Sequence, residues 1–132
     1  RVLFRSEHAL QAGKRVYVPV CTDKTTMIAV RLHNLHDVVH GVLNIRVPKE
    51  PYEIINPKDI DFVLVPGAGF DRLGGRMGMG NGYYDCFLKE LSPSNYIGVA
   101  WEAQIMKNPI PMERYDQRMP AIVTEQGVIH VI

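Results

Sequence analysis

Between residues 65 and 88 the chain concentrates the residue types that handle phosphate. Glycines stand at 67, 69, 74, 75, 78, 80 and 82, the last three at every second position. Such a run takes positive φ angles and lets backbone N–H groups approach a ligand with no Cβ in the way. A helical apolar pattern follows over residues 83–91, so the positive end of a helix points at the same place; loop amides and a helix N-terminus together make a phosphate site. Arg76 would add the full positive charge that amides lack. Asp85, in the first helical turn, stands where it could hold a Mg2+ ion that bridges phosphate oxygens. Neither standard nucleotide signature is present: the segment has no Gly-Lys-Ser/Thr ending and no Gly-x-Gly-x-x-Gly spacing. The residues alone specify a phosphate or nucleotide site, with a plain glycine-rich turn as the competing reading.

The surrounding sequence must supply the elements that hold this loop. Residues 61–65 (Asp-Phe-Val-Leu-Val) form an apolar run of the kind buried on both faces in a parallel sheet, and predict the strand that leads into the loop. Residues 83–91 predict the helix that leaves it, stopped by Pro93. Residues 96–100 read as a second buried strand. Residues 121–124 and 128–132 read as two closing strands with a turn at Glu125-Gln126-Gly127. Towards the start, residues 7–12 read as the tail of a helix with Gly13 at its left-handed C′ position. Residues 14–20 and 27–32 are β-branched and read as strands. Residues 33–58 have weak periodicity and prolines at 48, 51 and 57, and read mostly as loop. Strands alternating with helices predict the α/β class with a largely parallel sheet.

Other residues that could do chemistry have a plainer reading. His33, His36 and His40 would share one face of a helix, but the stretch is poorly helical and a surface loop is preferred over a zinc site. Cys86 is expected to be a buried structural thiol rather than a nucleophile. Adjacent helical residues diverge by about 100°, so Tyr83 is assigned to the ligand and Tyr84 to packing. Asp71 is read as structural. Trp101 is assigned to the core, although an aromatic of this kind can also stack on a pterin.

Bulk properties narrow the function class. A chain of 132 residues can bury one sizeable core. Fifteen Lys and Arg against 14 Asp and Glu leave it nearly neutral, which argues against nucleic acid as a default partner. No apolar run approaches the roughly 18 residues of a membrane span. Cys21 and Cys86 form no Cys-x-x-Cys pair, and two reduced thiols fit a cytoplasmic protein better than a disulfide framework.

Gly-x-Arg-Met-Gly-Met-Gly-Asn-Gly-Tyr-Tyr-Asp (residues 74–85), preceded by Val65-Pro66-Gly67 and Phe70-Asp71, resembles the signature of the 5-formyltetrahydrofolate cyclo-ligase family. Four further segments resemble that family in order. They are Gly13-Lys14-Arg15-Val16 with Pro19, residues 47–51, Ile97-Gly98-Val99-Ala100 with Gln104, and Tyr115-Asp116 through Ile122-Val123-Thr124-Glu125.

The resemblance implies a three-layer α/β fold, a mostly parallel sheet flanked by helices, in the architecture shared with sugar-phosphate isomerases and CoA-transferases. It implies ATP-dependent cyclisation of 5-formyltetrahydrofolate to 5,10-methenyltetrahydrofolate, with ATP as co-substrate and Mg2+ as cofactor. Carried over by position, Arg76, Met77, Gly78, Met79, Gly80, Asn81, Gly82, Tyr83 and Tyr84 would line the phosphates and part of the folate. Arg76 and Tyr83 would serve catalysis, and Asp85 and Asp116 would bind the metal. Met79 stands where some members carry Arg, and Tyr115 replaces a frequent His. A small-molecule enzyme that is monomeric at full length, cytoplasmic, and without nucleic-acid or membrane partners is expected. The competing functions are a non-catalytic relative that binds a nucleotide or RNA, and an isomerase or transferase of the same architecture, which would need a catalytic Glu or an acid–base pair near the loop.

The first six residues, Arg1-Val2-Leu3-Phe4-Arg5-Ser6, match the translated end of a common sequencing adapter. Residues 1–6 are therefore expected to be an artefact, and residues 7–132 the C-terminal two-thirds of a single cyclo-ligase domain. The family's N-terminal basic helix and folate-binding Glu have no counterpart here, so impaired turnover is expected of this chain alone.

Overall fold

The computed structural model describes residues 2–41, 45–78 and 82–131, with side chains from residue 5 onward. It separates into two compact units, Arg1–Asn56 and Pro57–Ile132.

In the first unit, helix α1 (Val2–Gln11) ends at Gly13, whose φ of 77° is the left-handed conformation expected of it. Lys14 N–H donates to Ala9 O and Gly13 N–H to Leu10 O, each at 3.0 Å, so the last carbonyls are satisfied by a Schellman pair of bonds. Strands β1 (Val16–Cys21) and β2 (Met27–Leu32) pair antiparallel from Val16↔Leu32 to Cys21↔Met27. The Asp23 carboxylate turns the chain between them, accepting the N–H groups of Thr25 and Thr26 at 2.8 Å. Val20, Ala29, Val30 and Leu32 are buried on this hairpin.

Residues 33–41 and 45–58 are more ordered than their sequence suggested. They contain β3 (Val38–His40) paired antiparallel with β4 (Arg46–Pro48), then β5 (Ile54–Ile55) on the free edge of β2, then a 3-10 turn at Pro57–Asp59. The prolines misled because Pro48 sits at the end of a strand in a two-stranded ladder, where a missing N–H costs little. His40 lies in β3, and His33 Nε2 contacts Glu53 Oε2 at 2.9 Å. The three histidines therefore do not share a helix face.

The second unit carries the glycine-rich segment. Its strands are β6 (Val63–Val65), β7 (Gly69–Asp71), β8 (Arg76–Met77), β9 (Tyr96–Val99), β10 (Ile105–Met106), β11 (Ala121–Thr124) and β12 (Gly127–His130). Helix α2 (Tyr83–Leu88) lies between β8 and β9. One sheet has the order β12-β11-β9-β6, with β6, β9 and β11 parallel and β12 antiparallel at the edge. A smaller sheet has the order β10-β7-β8, with β10 parallel and β8 antiparallel to β7. The α/β class stands, built from mixed sheets with few helices. Val65, Phe70, Leu88, Met119 and Ile122 are almost wholly buried, each such side chain contributing about 1.5–3 kcal/mol of transfer free energy as an upper bound.

Two strand and helix expectations shift here. Strand β6 is covered on one side only: Val65 is fully buried while Leu64 is 50% exposed. The helix after the loop stops at Leu88 rather than 91, because Glu90 and Leu91 turn back with 3-10 bonds to Phe87 and Leu88. It has only six residues, too short for the macrodipole argument made from the sequence.

Phe70 explains why the sequence tolerates no side chain at two glycines. A Cβ on Gly98 would lie 2.8 Å from the Phe70 ring and one on Gly67 2.9 Å from it. The ring is wedged between two bare backbone segments, and that contact fixes β7 against β9.

Candidate functional site

Asp71 builds the turn that presents Arg76. The carboxylate is buried, and its Oδ1 accepts the N–H groups of Leu73 (2.8 Å) and Gly75 (2.9 Å). Its Oδ2 accepts the Ile110 N–H at 2.7 Å. Burial pushes its pKa up, but these N–H groups and the Arg118 charge together hold it below the ordinary carboxylate value. Gly74, at φ 86°, and Gly75 leave no room for a Cβ, which would strike Met119 O or the Asp71 carboxylate. The structural reading of Asp71 is borne out, with more work to do than a turn former has.

Arg76 follows this turn, opposite Phe70 in the β7–β8 ladder, and its side chain is 5% exposed. Nη1 donates to Pro66 O at 3.1 Å, and the guanidinium carbon lies 5.6 Å from the centre of the Tyr84 ring. Nη2 is 3.5 Å from Asp85 Oδ2, an ion-pair distance well beyond the roughly 2.7–2.9 Å of a charge-assisted hydrogen bond. Nε is buried and has no acceptor among the described residues. The backbone at Gly78 passes over the same group, since a Cβ there would meet Nη1 at 3.2 Å. A buried guanidinium with one loose carboxylate and one unfilled donor is under-coordinated, and its fork geometry suits a phosphate.

Asp85 stands in the first turn of α2. Besides facing Arg76, its Oδ1 accepts the Gln117 N–H at 3.1 Å. Burial first, and the Asp85 charge second, push the Tyr96 phenol above its usual pKa. Asp116, next to Gln117, closes a turn in which its Oδ2 accepts the Glu113 N–H at 2.8 Å. A second tie joins the same loop to α2: Lys89 Nζ sits 5.2 Å from the centre of the Tyr115 ring. The segment bearing Asp116 is thus docked on the helix bearing Asp85.

The structure brings together Arg76, Gly78, Tyr84 and Asp85, with Asp116 on the adjoining loop. Tyr83, half-buried, opens α2, and Gly82 precedes it at φ 68°. Met77 lies in β8 and is 45% exposed. Met79, Gly80 and Asn81 lie outside the described residues. Cys86 and Trp101 depart from expectation. Cys86 is an exposed thiol, because α2 turns Phe87 and Leu88 inward instead. Trp101 is 44% exposed just beyond β9, not in the core, since the strand has already ended at Val99.

Gln104 ties that corner to the loop. Its Nε2 donates to Gly67 O at 3.1 Å and its Oε1 accepts the Trp101 N–H at 2.9 Å. Nothing in the spacing of Gln104, Gln117 or Pro66 signals these contacts, because a backbone group at one end of each leaves no residue type to read.

Asp85 and Asp116 offer oxygen donors only, and Mg2+ commonly takes one or two carboxylates and fills its other positions with phosphate oxygens and water. Among the described residues no group of three His, Cys, Asp or Glu gathers as a self-sufficient metal centre. Asp85 beside Arg76 is a donor that fits a Mg2+ ion arriving with phosphate, and Asp116, whose Oδ2 takes the Glu113 N–H, lies on the loop docked against the same helix.

The chain resembles known proteins along most of its length. The model of the 5-formyltetrahydrofolate cyclo-ligase family matches residues 6–125. A 5-formyltetrahydrofolate cyclo-ligase of Saccharomyces cerevisiae is 32% identical over 146 residues, covering 94% of this chain and 69% of the yeast protein. That of Escherichia coli is 31% identical over 127 residues, covering 92% and 69%. The structure of Aquifex aeolicus 5,10-methenyltetrahydrofolate synthetase aligns with a TM-score of 0.78 at 31% identity, over 98% of this chain and 64% of that one. A Mycoplasma pneumoniae synthetase, at 23% identity and TM-score 0.67, shares the fold. The chain spans 64% of the Aquifex chain and 61% of the Mycoplasma chain.

Proposed function

The chain belongs to the 5-formyltetrahydrofolate cyclo-ligase family, and on that premise we propose that it closes 5-formyltetrahydrofolate to 5,10-methenyltetrahydrofolate at the expense of ATP. The observation that carries this reading is the enclosed Arg76 guanidinium, under-coordinated beside Gly78 and Asp85.

The formyl oxygen attacks the γ-phosphorus of ATP, the bond to the β-phosphate oxygen breaks, and ADP leaves. N10 of the folate then adds to the activated formyl carbon of this imino-phosphate. The carbon–oxygen bond breaks, phosphate departs with the former formyl oxygen, and the N10 proton is released. Transfer of this kind depends on positioning and on neutralising charge rather than on covalent help from the protein. Arg76 binds the transferring phosphate and balances its charge. Gly78 keeps the space over the guanidinium open. Tyr83 contacts the substrate, and Tyr84 steadies Arg76 through its ring face. Asp85 and Asp116 would hold the metal, and the metal would supply further neutralisation of charge on the transferring phosphate.

Among the described residues no helix is long and apolar enough to cross a membrane. Two free, exposed thiols, Cys21 and Cys86, support a cytoplasmic setting.

The test is the near-ultraviolet absorbance of the methenyl product when the protein meets 5-formyltetrahydrofolate, Mg2+ and ATP. The band should require both ATP and Mg2+. A chain that forms no band and binds neither 5-formyltetrahydrofolate nor ATP by calorimetry would overturn the reading.

A further inference from the structure

Arg76 and Asp85 face each other in an arrangement that satisfies neither. The guanidinium is 5% exposed and the carboxylate 17%, so both have lost most of their water. They meet through one contact of 3.5 Å instead of a bidentate fork. Arg76 Nε remains buried and unfilled among the described residues. Asp85 divides its oxygens, Oδ1 taking the Gln117 N–H and Oδ2 facing Arg76. Leaving a buried charge unpaired is costly, which is why the pair holds while nothing better is available. It is nonetheless a weak pair, open to exchange for a closer ligand on each side.

We propose that Arg76 and Asp85 are an exchangeable pair in which each occupies the other's ligand position until phosphate and a divalent cation arrive together. This rests on the nucleotide-site reading above. A phosphate that engages Arg76 through Nε and Nη2 releases Asp85 Oδ2, and a cation that engages Oδ2 releases the guanidinium. Either ligand alone must break the pair and leave one buried charge uncompensated. The two together replace it with two closer contacts. Cation and phosphate therefore bind with positive coupling that arises in the protein, beyond their attraction in solution, and the coupling is reciprocal. Gln117 N–H stays on Oδ1 throughout, so the loop bearing Asp116 does not need to move for the exchange.

The test uses the full chain, inorganic tripolyphosphate and Mg2+, read by NMR at the Arg76 Nε–H, the Asp85 side-chain carboxyl carbon and the Gly78 amide. Tripolyphosphate with no cation should shift the Gly78 amide and the Arg76 Nε–H, and should move the Asp85 carboxyl as its partner leaves. Mg2+ alone should bind weakly. Once the protein-free affinity of Mg2+ for tripolyphosphate is subtracted, its binding should tighten about tenfold when the phosphate is present, within the range coupled pairs show. In Arg76→Gln, Mg2+ alone should bind more tightly than in the wild type, and the phosphate-induced gain should disappear. If the Gly78 amide shifts while Arg76 Nε–H and the Asp85 carboxyl stay still, the exchange is wrong and the nucleotide site stands. If Mg2+ alone binds the wild type as tightly as with phosphate, the exchange is again wrong. If tripolyphosphate perturbs none of the three, the nucleotide-site reading falls and takes this one with it.

Discussion

Asp71 Oδ2 accepts the backbone N–H of Ile110 at 2.7 Å, joining the start of the loop segment to a residue 39 positions later. The same carboxylate holds Leu73 and Gly75, so one buried side chain fixes both the turn before Arg76 and the strand-free stretch that leads to Asp116. Asp71→Ala would orphan these three N–H groups, each worth about 1–3 kcal/mol when left unsatisfied. Partial access to water should keep the total near roughly 3 kcal/mol, a large share of a domain's stability. Urea unfolding of Asp71→Ala against the wild type measures this, and a loss under about 1 kcal/mol would show that the turn stands without its carboxylate.

The pH dependence follows from the direction of the Asp71 shift. Its folded pKa lies below its unfolded value, so the unfolded chain binds the proton more readily. The stabilisation is fully present above the unfolded pKa of about 3.9 and is lost as pH falls through the lower folded value. Wild-type stability should therefore drop steeply below about pH 4, and Asp71→Asn should flatten that part of the curve. Parallel acid titrations of the two proteins, followed by circular dichroism, would decide it; identical slopes would assign the acid sensitivity to other carboxylates.

Gly98 has no room for a side chain, with Phe70 2.8 Å from where its Cβ would sit. Gly98→Ala should cost about 1–3 kcal/mol through overpacking. The damage should be relieved by Phe70→Leu in the same chain, because the clash is with the ring and not with backbone. Thermal unfolding of the two single variants and the double variant tests this. Additive losses would place the Gly98 requirement elsewhere.

Among the described residues the Gln104 side chain reaches the glycine-rich segment through the carbonyls of Gly67 and Ala68, which follow the Pro66 carbonyl that Arg76 holds. Gln104→Leu removes side-chain hydrogen bonds worth about 1 kcal/mol each, so the melting temperature should fall by roughly 5–15 °C. Its effect on ATP should be disproportionate, raising KM for ATP severalfold while KM for the folate changes less. Gln104→Glu keeps the acceptor for Trp101 but turns an oxygen towards two carbonyls, and it should behave no better than Leu. A loss of stability with both KM values unchanged would leave Gln104 as a structural brace alone.

The glycine positions, β2, β9, β11 and the Gly13 helix stop were all legible because each rests on a local preference: missing Cβ atoms, β-branched runs, a left-handed cap. What could not be read were contacts in which one partner is backbone or distant in sequence. Asp85 was expected to be a metal ligand, yet its grip on Gln117 and its pairing with Arg76 depend on how α2 is aimed. The six-residue length of α2 was hidden because residues 83–91 keep an apolar pattern even where the backbone has tightened into 3-10 turns. Strands β3 and β4 were missed for the opposite reason: a short two-stranded ladder can place a proline at its margin and leaves no strong period behind.

Trp101 is the chain's single tryptophan, which makes its unexpected exposure directly measurable. At 44% exposure the indole should emit as a water-exposed group and be quenched by iodide in the native protein. Its truncation should also be mild. Trp101→Ala should cost about 1 kcal/mol, against the roughly 3–5 kcal/mol of emptying a core site. The pterin-stacking reading of this ring predicts in addition that 5-formyltetrahydrofolate quenches the emission and shields it from iodide. Iodide quenching that is weak without folate would return Trp101 to the core. Strong iodide quenching that folate leaves unchanged would keep the ring exposed but move the folate away from this end of the sheet.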